Sequence, residues 1–548
     1  MAAIGAAGLS GCTSAAPLPQ TGTKPKNDWL GTPEIVSESG ISKVVDCDVV
    51  VVGAGVAGSS AALSAVEEGA HTVLIEKSTV GSTPATWIGA VNTSLYANEG
   101  IVYDEEAKAD IVNDLMWHAN YRADQRLIKL WIEKSGEAVD WYCERCVSDG
   151  TMSVVLETDL KETNGKHLSP AIAHVPIMGE PKEFGPNEAG LRNSTKVLVN
   201  LAVSQGLELY ENTTGKYLLT SEDGFVTGIV ATDADGNHIQ FNASKGVILC
   251  TGGYMANGQM REALNPIQHK TTTVQEEMML NCTGDGIKMG LWANGYMNDL
   301  HWWMENERGL PSGRLWKPGT QPWLRTDCWG NRFCNEDAPY DYNAYSASLN
   351  PGHHYWVIWD ENYWEDIERF GTTICSRLNA VRGAANTGVA SRSKEEFYER
   401  WIKPYIESGE IVTGSSLDEL VEQMKTLDDR INGETLKATV ERYNELSEIG
   451  MDEDFGKLAF RLSTVKDAPF YATWLCGYSI CNLDGLRINE NIECITEDGV
   501  AIPGLYAAGN DTGGYYGISY PWYYGGLNCG FGVTFGYLAG KNAASRKI

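Results

Sequence analysis

The sequence predicts an α/β fold, and three adjacent segments predict it. Val44–Val52 is an apolar, β-branched run of the kind that forms a strand buried on both faces. Gly53-Ala54-Gly55-Val56-Ala57-Gly58 follows at once, and Ser59–Gly69 reads as an amphipathic helix. His71–Ile75 is a second apolar strand, ending in Glu76.

Each part of this unit has a physical task. Gly53 permits the turn out of the strand, Gly55 lets backbone approach a pyrophosphate, and Gly58 lets helix and strand pack closely. The helix start offers unpaired N–H groups and the positive end of a dipole to phosphate oxygens. Glu76, 18 residues after Gly58, stands where an acid accepts ribose hydroxyls. Together these parts predict a Rossmann-type dinucleotide site. Further along, Gly246–Cys250 is a third apolar strand, followed by Thr251-Gly252-Gly253-Tyr254. Thr283-Gly284-Asp285-Gly286-Ile287 precedes a helix. Ile502–Asn510 reads as turn, strand and Gly-rich turn, and Gly525-Gly526-Leu527-Asn528 leads into a helix over Cys529–Ala544.

In this order, from about Asp46 to the carboxyl terminus, the segments resemble the flavoprotein family of soluble fumarate reductases, urocanate reductases and 3-ketosteroid dehydrogenases. The resemblance rests on DVVVVGAGVAG, LIEK, VILCTGGY, TGDGIKMG, GNRFCNE, IPGLYAAGNDTGG and TFGYLAG. It implies an FAD-binding domain interrupted by an α+β capping domain. The expected division is 1–39 leader and linker, 40–297 and 478–548 FAD-binding, and 298–477 cap. It implies FAD along Gly53, Gly55, Val56, Ala57 and Gly58, with Glu76 and Lys77 at the ribose and Ser82 and Thr83 near the phosphates. Thr251, Gly252 and Gly253 join the cofactor set, and Asp285, Asn510 and Asp511 lie on the flavin side. The amides of Gly526 and Leu527 would face the flavin pyrimidine oxygen.

The family's members differ in their substrate residues. The Arg that serves fumarate-type members as proton donor, a few residues after the stretch matched by Asn331-Arg332-Phe333-Cys334-Asn335-Glu336, is Tyr340 here. Tyr478–Gly485 holds no His where they carry a pair, and Tyr523 replaces a further Arg. A dicarboxylate needs bidentate cationic partners, so fumarate is not the expected substrate. Aromatic residues stand in these places: Trp302, Trp303, Tyr516, Trp522 and Tyr524 are the expected substrate pocket, with Tyr342 nearby. Leu505–Asn510 and Ser519-Tyr520-Pro521 resemble the ketosteroid branch. The expected reaction is reduction of an activated alkene in an enone, lactone or steroid-like substrate. Tyr520 or Tyr523 would polarise the carbonyl, and Tyr340 would move the proton. Arg332 either assists Tyr340 or forms a structural ion pair. Alternatives are a desaturating dehydrogenase, an acrylate-type reductase and, in another class, a flavin electron carrier.

Composition bounds these readings. A chain of 548 residues exceeds a single core. Its net charge of −29 excludes a nucleic-acid partner that binds through phosphate contacts. No second dinucleotide motif and no haem-attachment motif is present, so a cytochrome, a quinol-linked protein or a small reductase is the expected electron donor. Cys143 and Cys146 form a C-x-x-C in a predicted helix, Ala138–Val147, with no second pair at metal spacing, and no metal site is expected. Met1–Ala16 is small, apolar and uncharged. Leu9-Ser10-Gly11-Cys12 resembles a lipoprotein cleavage site, or the tail of a twin-arginine signal without its basic region. Export to the cell envelope, as a lipid-anchored protein or free in the periplasm or at the cell surface, is the expectation, and a cytoplasmic location is the alternative.

Overall fold

The computed structural model describes residues 29–81, 87–157, 173–179, 191–274, 281–338, 340–370, 391, 393–521 and 524–547. The leader-like segment and most of the linker, Ser82, Thr83, Trp522 and Tyr523 lie outside these residues. In chain order the strands of the amino-terminal half are β1 Ile41–Val52, β2 Thr72–Ile75, β3 Ile88–Gly89, β4 Met152–Glu157, β5 Ala173–Met178, β6 Glu208–Tyr210, β7 Thr214–Thr220, β8 Val226–Thr232 and β9 His238–Leu249. They continue as β10 Thr272–Val274, β11 Trp303–Gly309, β12 Leu324–Thr326, β13 His354–Trp359, β14 Ile411–Gly414, β15 Phe470–Asn482, β16 Glu493–Ile495 and β17 Ala501–Ala507.

The predicted Rossmann-type unit is present. The first sheet runs β16-β17-β9-β1-β2-β6, with β7 and β8 added through β9. β1 pairs in parallel with β2 and β9, and β17 pairs in parallel with β9. Val49–Val52 is buried in the middle of this sheet, as a β-branched run flanked by strands on both edges requires. The helix Val56–Glu67 lies against the carboxyl-terminal helix Leu527–Ala544, and small residues let the two approach. A Cβ on Gly540 would stand 2.3 Å from the carbonyl oxygen of Ala61. Cys143 and Cys146 end a helix over Gln125–Cys146, longer than the stretch predicted. Both are buried, and burial pushes the Cys146 thiol up to about 12. Among the described residues no group of three or more His, Cys, Asp or Glu gathers as a metal site would. Among them, too, no helix is long and apolar enough to cross a membrane.

The second sheet forms the cap. β15 is its axis, pairing with β10, β11, β13 and β14, while β12 joins through β13. Its span differs from the expected 298–477. β10 begins at Thr272 and pairs in parallel with Gly477–Ser479, and β15 runs on to Asn482. A strand that enters the cap sheet therefore leaves it directly into the FAD-binding part. Over this sheet Trp316, Trp323 and Trp359 stack at 5.0–6.2 Å in a fully buried aromatic core. On the other flank the helix Gly433–Ile449 packs Leu436, Val440 and Tyr443 in a cluster with Trp356. A small third sheet, β3-β5-β4, completes the fold.

Candidate active site

A cavity of about 530 Å³ opens at the carboxyl ends of β1, β2 and β9 and is closed on its far side by β11 and β15 of the cap. Parallel sheets bind ligands at this edge because the strands all release their loops there. Gly53, Gly55, Val56, Ala57, Glu76 and Lys77 line it, as do Thr251, Gly252, Asp285 and Asn510. These sequence-predicted residues are therefore brought together.

Two glycines make the cradle. Gly53 has a φ of 98°, and a Cβ there would lie 2.3 Å from the carbonyl oxygen of Cys250. A Cβ on Gly58 would lie 1.8 Å from the carbonyl oxygen of Gly53. Gly58 packs the helix on the strand without lining the cavity. Gly55 caps the helix Val56–Glu67 with no side chain on its first amides, which leaves those N–H groups to a ligand. The Oε2 atom of Glu76 accepts the Ala54 amide at 2.8 Å, and Oε1 accepts the Ser78 amide at 2.8 Å. Oε1 also accepts the Ser78 hydroxyl at 2.8 Å, so Oε2 is the oxygen that keeps a lone pair for a ribose hydroxyl. Lys77 donates to Thr283 at 2.6 Å and to Asp285 at 2.9 Å, tying the end of β2 to the start of the helix Asp285–Trp292.

Other predicted residues sit elsewhere. Asp511 is fully buried behind the cavity wall. It accepts the Thr251 and Gly253 amides and the Thr251 hydroxyl, and burial pushes it up to about 6. It shapes the Gly252–Gly253 turn from behind, and Gly253 lies with it. At the carboxyl-terminal helix the cavity is lined by Asn528, Cys529 and Gly532, the lining beginning just after Gly526 and Leu527. The Leu527 amide is taken by the carbonyl of Tyr524 at 3.2 Å, and the Gly526 carbonyl accepts the Gly89 amide.

The aromatic pocket is not assembled as expected. Trp303 is fully buried in a cluster with Tyr254, Met260 and Ile287. Trp302 donates its indole N–H to the Tyr345 hydroxyl at 2.8 Å. Tyr524 turns its hydroxyl to Asp114 at 3.1 Å, and Tyr516 donates to Asn528 at 3.2 Å. None of the four lines the cavity, because each of these polar heads found a protein partner. Tyr520 holds the head of the carboxyl-terminal helix, its hydroxyl accepting the Asn528 amide at 3.1 Å. Tyr340 begins the cap helix Tyr340–Ser348, and its side chain lies outside what is described. Arg332 is not at the cavity. Its guanidinium donates to both oxygens of Glu336 and of Asp452 at 2.7–2.9 Å, which makes it the structural ion pair of the two readings. Tyr342 accompanies His118, its ring stacked on the imidazole at 5.5 Å.

The cap side contributes residues that the motifs did not mark. Arg308, at the end of β11, lines the cavity with Leu315, and β15 adds Tyr478, Ile480 and Cys481. Along β11 the run Glu305-Asn306-Glu307 is buried, an unusual load of polar side chains for one strand. Burial pushes Glu305 up to about 8 although Thr272 donates to it at 2.7 Å. Burial likewise pushes Asp341 up to about 7 against hydrogen bonds from Ser519 and the Tyr520 amide. The polar run Glu305–Arg308 is visible in the sequence, yet only the sheet register shows which of its members reaches the cavity.

The residues present fit a flavin dinucleotide: a bare helix start for phosphates, a carboxylate at the end of β2 for ribose, and a cavity that joins both to the cap. A family model for an FAD binding domain (FAD_binding_2) matches residues 48–522. The chain belongs to this family. Its cofactor is FAD. The chain is similar to the vinyl phenol reductase of Lactiplantibacillus plantarum, with 26% identity over 513 residues covering 91% of this chain and 96% of that one. It is also similar to the 3-oxosteroid 1-dehydrogenase of Mycolicibacterium smegmatis, with 26% identity over 91% of this chain and 98% of that one. Its fold matches the open conformation of a flavocytochrome c3 fumarate reductase with a TM-score of 0.67 at 24% identity, over 92% of this chain and 79% of that one.

Proposed function

We propose that this FAD-dependent oxidoreductase of CH–CH groups reduces an alkene activated by conjugation to a carbonyl or carboxyl group. The observation that carries the reading is the cavity itself. One wall is the dinucleotide cradle, the other is cap, and the space between them is the size of a ligand site. The relatives named for reduction of a vinyl phenol and for dehydrogenation of a 3-oxosteroid support chemistry on small unsaturated molecules.

FAD bound in the cavity supplies the hydride-level redox chemistry at the β-carbon. The protein's part is to place the alkene, stabilise the charge that develops at its activating group, and give a proton to the α-carbon. Tyr340, at the start of a cap helix, is the proton donor in this reading. Tyr520 and Tyr523 are its candidates for polarising the activating group, and for Tyr520 the Asn528 amide fixes the hydroxyl oxygen in place. An enone, lactone or steroid-like substrate remains the preferred neutral class. Electrons reach the site from an external cytochrome, quinol-linked protein or reductase. The test is Tyr340→Phe. Loss of a general acid lowers the rate at which an alkene re-oxidises the reduced protein by about 100-fold or more, while re-oxidation by dioxygen keeps its rate. Equal alkene rates in the two proteins would remove Tyr340 from the mechanism.

A further inference from the structure

Arg308 is an anomaly of charge. The chain carries −29, and three other arginines of the cap are neutralised: Arg314 by Glu410, Arg325 by Glu307, Arg332 by Glu336 and Asp452. Glu307 is the residue next to Arg308, yet it turns into the cap core to meet Arg325 at 3.1 Å. Among the described residues Arg308 forms no ion pair, and its Nε is buried without a hydrogen-bond partner. Its side chain lines the cavity.

A second cation stands close by. Lys317 lies over the ring of Trp401, 5.7 Å from its centre, and has no carboxylate partner among the described residues. Burial lowers it to about 8, with Arg308 and Arg400 adding repulsion. Two neighbouring cations with no carboxylate in ion-pair contact cost stability, since Glu307 acts on Arg308 only at longer range, and a protein with this surplus of acid could neutralise them with one substitution. The arrangement is stable in the presence of a ligand that brings the negative charge. The flavin pyrophosphate has its own place at the start of the helix Val56–Glu67, on the opposite wall. Beside Arg308, Leu315, Tyr478 and Ile480 offer an apolar surface for the body of the same ligand.

We infer that Arg308, reinforced by Lys317, forms an anion subsite on the cap wall that takes a carboxylate group of the substrate. The inference rests on the alkene-reductase reading for its substrate, and it narrows that substrate to an unsaturated acid with an apolar body. The guanidinium is suited to the task, since its planar fork meets a carboxylate with two parallel hydrogen bonds.

The test needs no turnover. Oxidised, FAD-loaded protein is titrated with 3-phenylpropanoate and with 3-phenylpropanamide, and binding is read from the flavin absorbance. The acid binds about tenfold or more tightly than the amide, as charge-assisted pairing requires. Arg308→Gln abolishes that preference by weakening the acid alone, Arg308→Lys restores part of it, and flavin content is unchanged in both. Lys317→Gln weakens the acid by a smaller factor. Equal binding of acid and amide to the native protein overturns the subsite. So does an Arg308→Gln variant that weakens both ligands alike, or one that loses flavin and keeps the preference. Failure of cinnamate and every other alkene to re-oxidise the reduced protein would remove the proposed reaction, and it would leave the acid-over-amide result standing on its own.

Discussion

Substitution of Gly58 by Ala is the sharpest perturbation of the cofactor cradle. The added methyl group would stand 1.8 Å from the Gly53 carbonyl oxygen, 2.9 Å from the Gly53 carbonyl carbon and 3.3 Å from the Cys250 Cβ. The first two are backbone atoms, so no rotamer change relieves the contact. Helix and loop must separate by at least about 1.2 Å to reach the 3.0 Å that such contacts tolerate. That shift carries the amides of Gly55, Val56 and Ala57 out of hydrogen-bond range of the phosphates they would serve. Losing two charge-assisted bonds at about 1.5 kcal/mol each removes about 3 kcal/mol, or more than about 100-fold in FAD affinity. Gly58→Ala is therefore expected to purify with little flavin and to need far more added FAD to recover its visible absorbance. Gly258→Ala is the control, because its nearest neighbour is a flexible Arg261 side-chain atom at 3.8 Å. Full flavin occupancy and native affinity in Gly58→Ala would refute the cradle geometry.

Arg332→Met leaves Glu336 and Asp452 buried with only Lys457 near Glu336, at 3.4 Å, and costs about 3–5 kcal/mol of stability; thermal melting checks this. A loss of turnover with an unchanged melt would return Arg332 to the chemistry. Asp341 is pushed by burial to about 7 from an ordinary 3.8, so the folded chain holds a proton that the unfolded chain releases between those values. Its contribution to stability is thus greatest below the lower value and falls as pH rises to about 7. Asp341→Asn removes that slope: the drop in melting temperature between about pH 4.5 and about pH 7.5 becomes smaller than in the native protein. An equal drop in both proteins would contradict the burial argument.

The cofactor half of the site was legible because its chemistry is local. Gly53 to Glu76 places turn, helix start and acid within one βαβ unit, and short-range sterics decide the glycines. The cap half was not legible for two reasons. Its sheet joins Thr272–Val274 to Gly477–Ser479 across some two hundred residues, and no local pattern announces that register. An aromatic side chain also has the same signature in sequence whether it lines a cavity or fills a core. Trp303 packs against Met260, and Tyr524 reaches Asp114, because each finds a partner far away in the chain. The reverse error hid Arg308. As one of several charged residues on β11 it reads as surface, and only its missing partner marks it.

The central claim is that the space between cradle and cap holds an activated alkene against the flavin, and one measurement addresses it directly. The purified protein is reduced anaerobically, and recovery of flavin absorbance is followed as cinnamate, a vinyl phenol, a butenolide, a 3-ketosteroid and fumarate are added in turn. Rapid recovery with at least one apolar-bodied alkene conjugated to a carbonyl or carboxyl group, yielding the saturated product in equal amount to the flavin, is the predicted result, and recovery with the vinyl phenol alone would contradict that activation. Recovery with fumarate alone would contradict the reading of the substituted cationic positions, and recovery with none of them would contradict the proposed reaction.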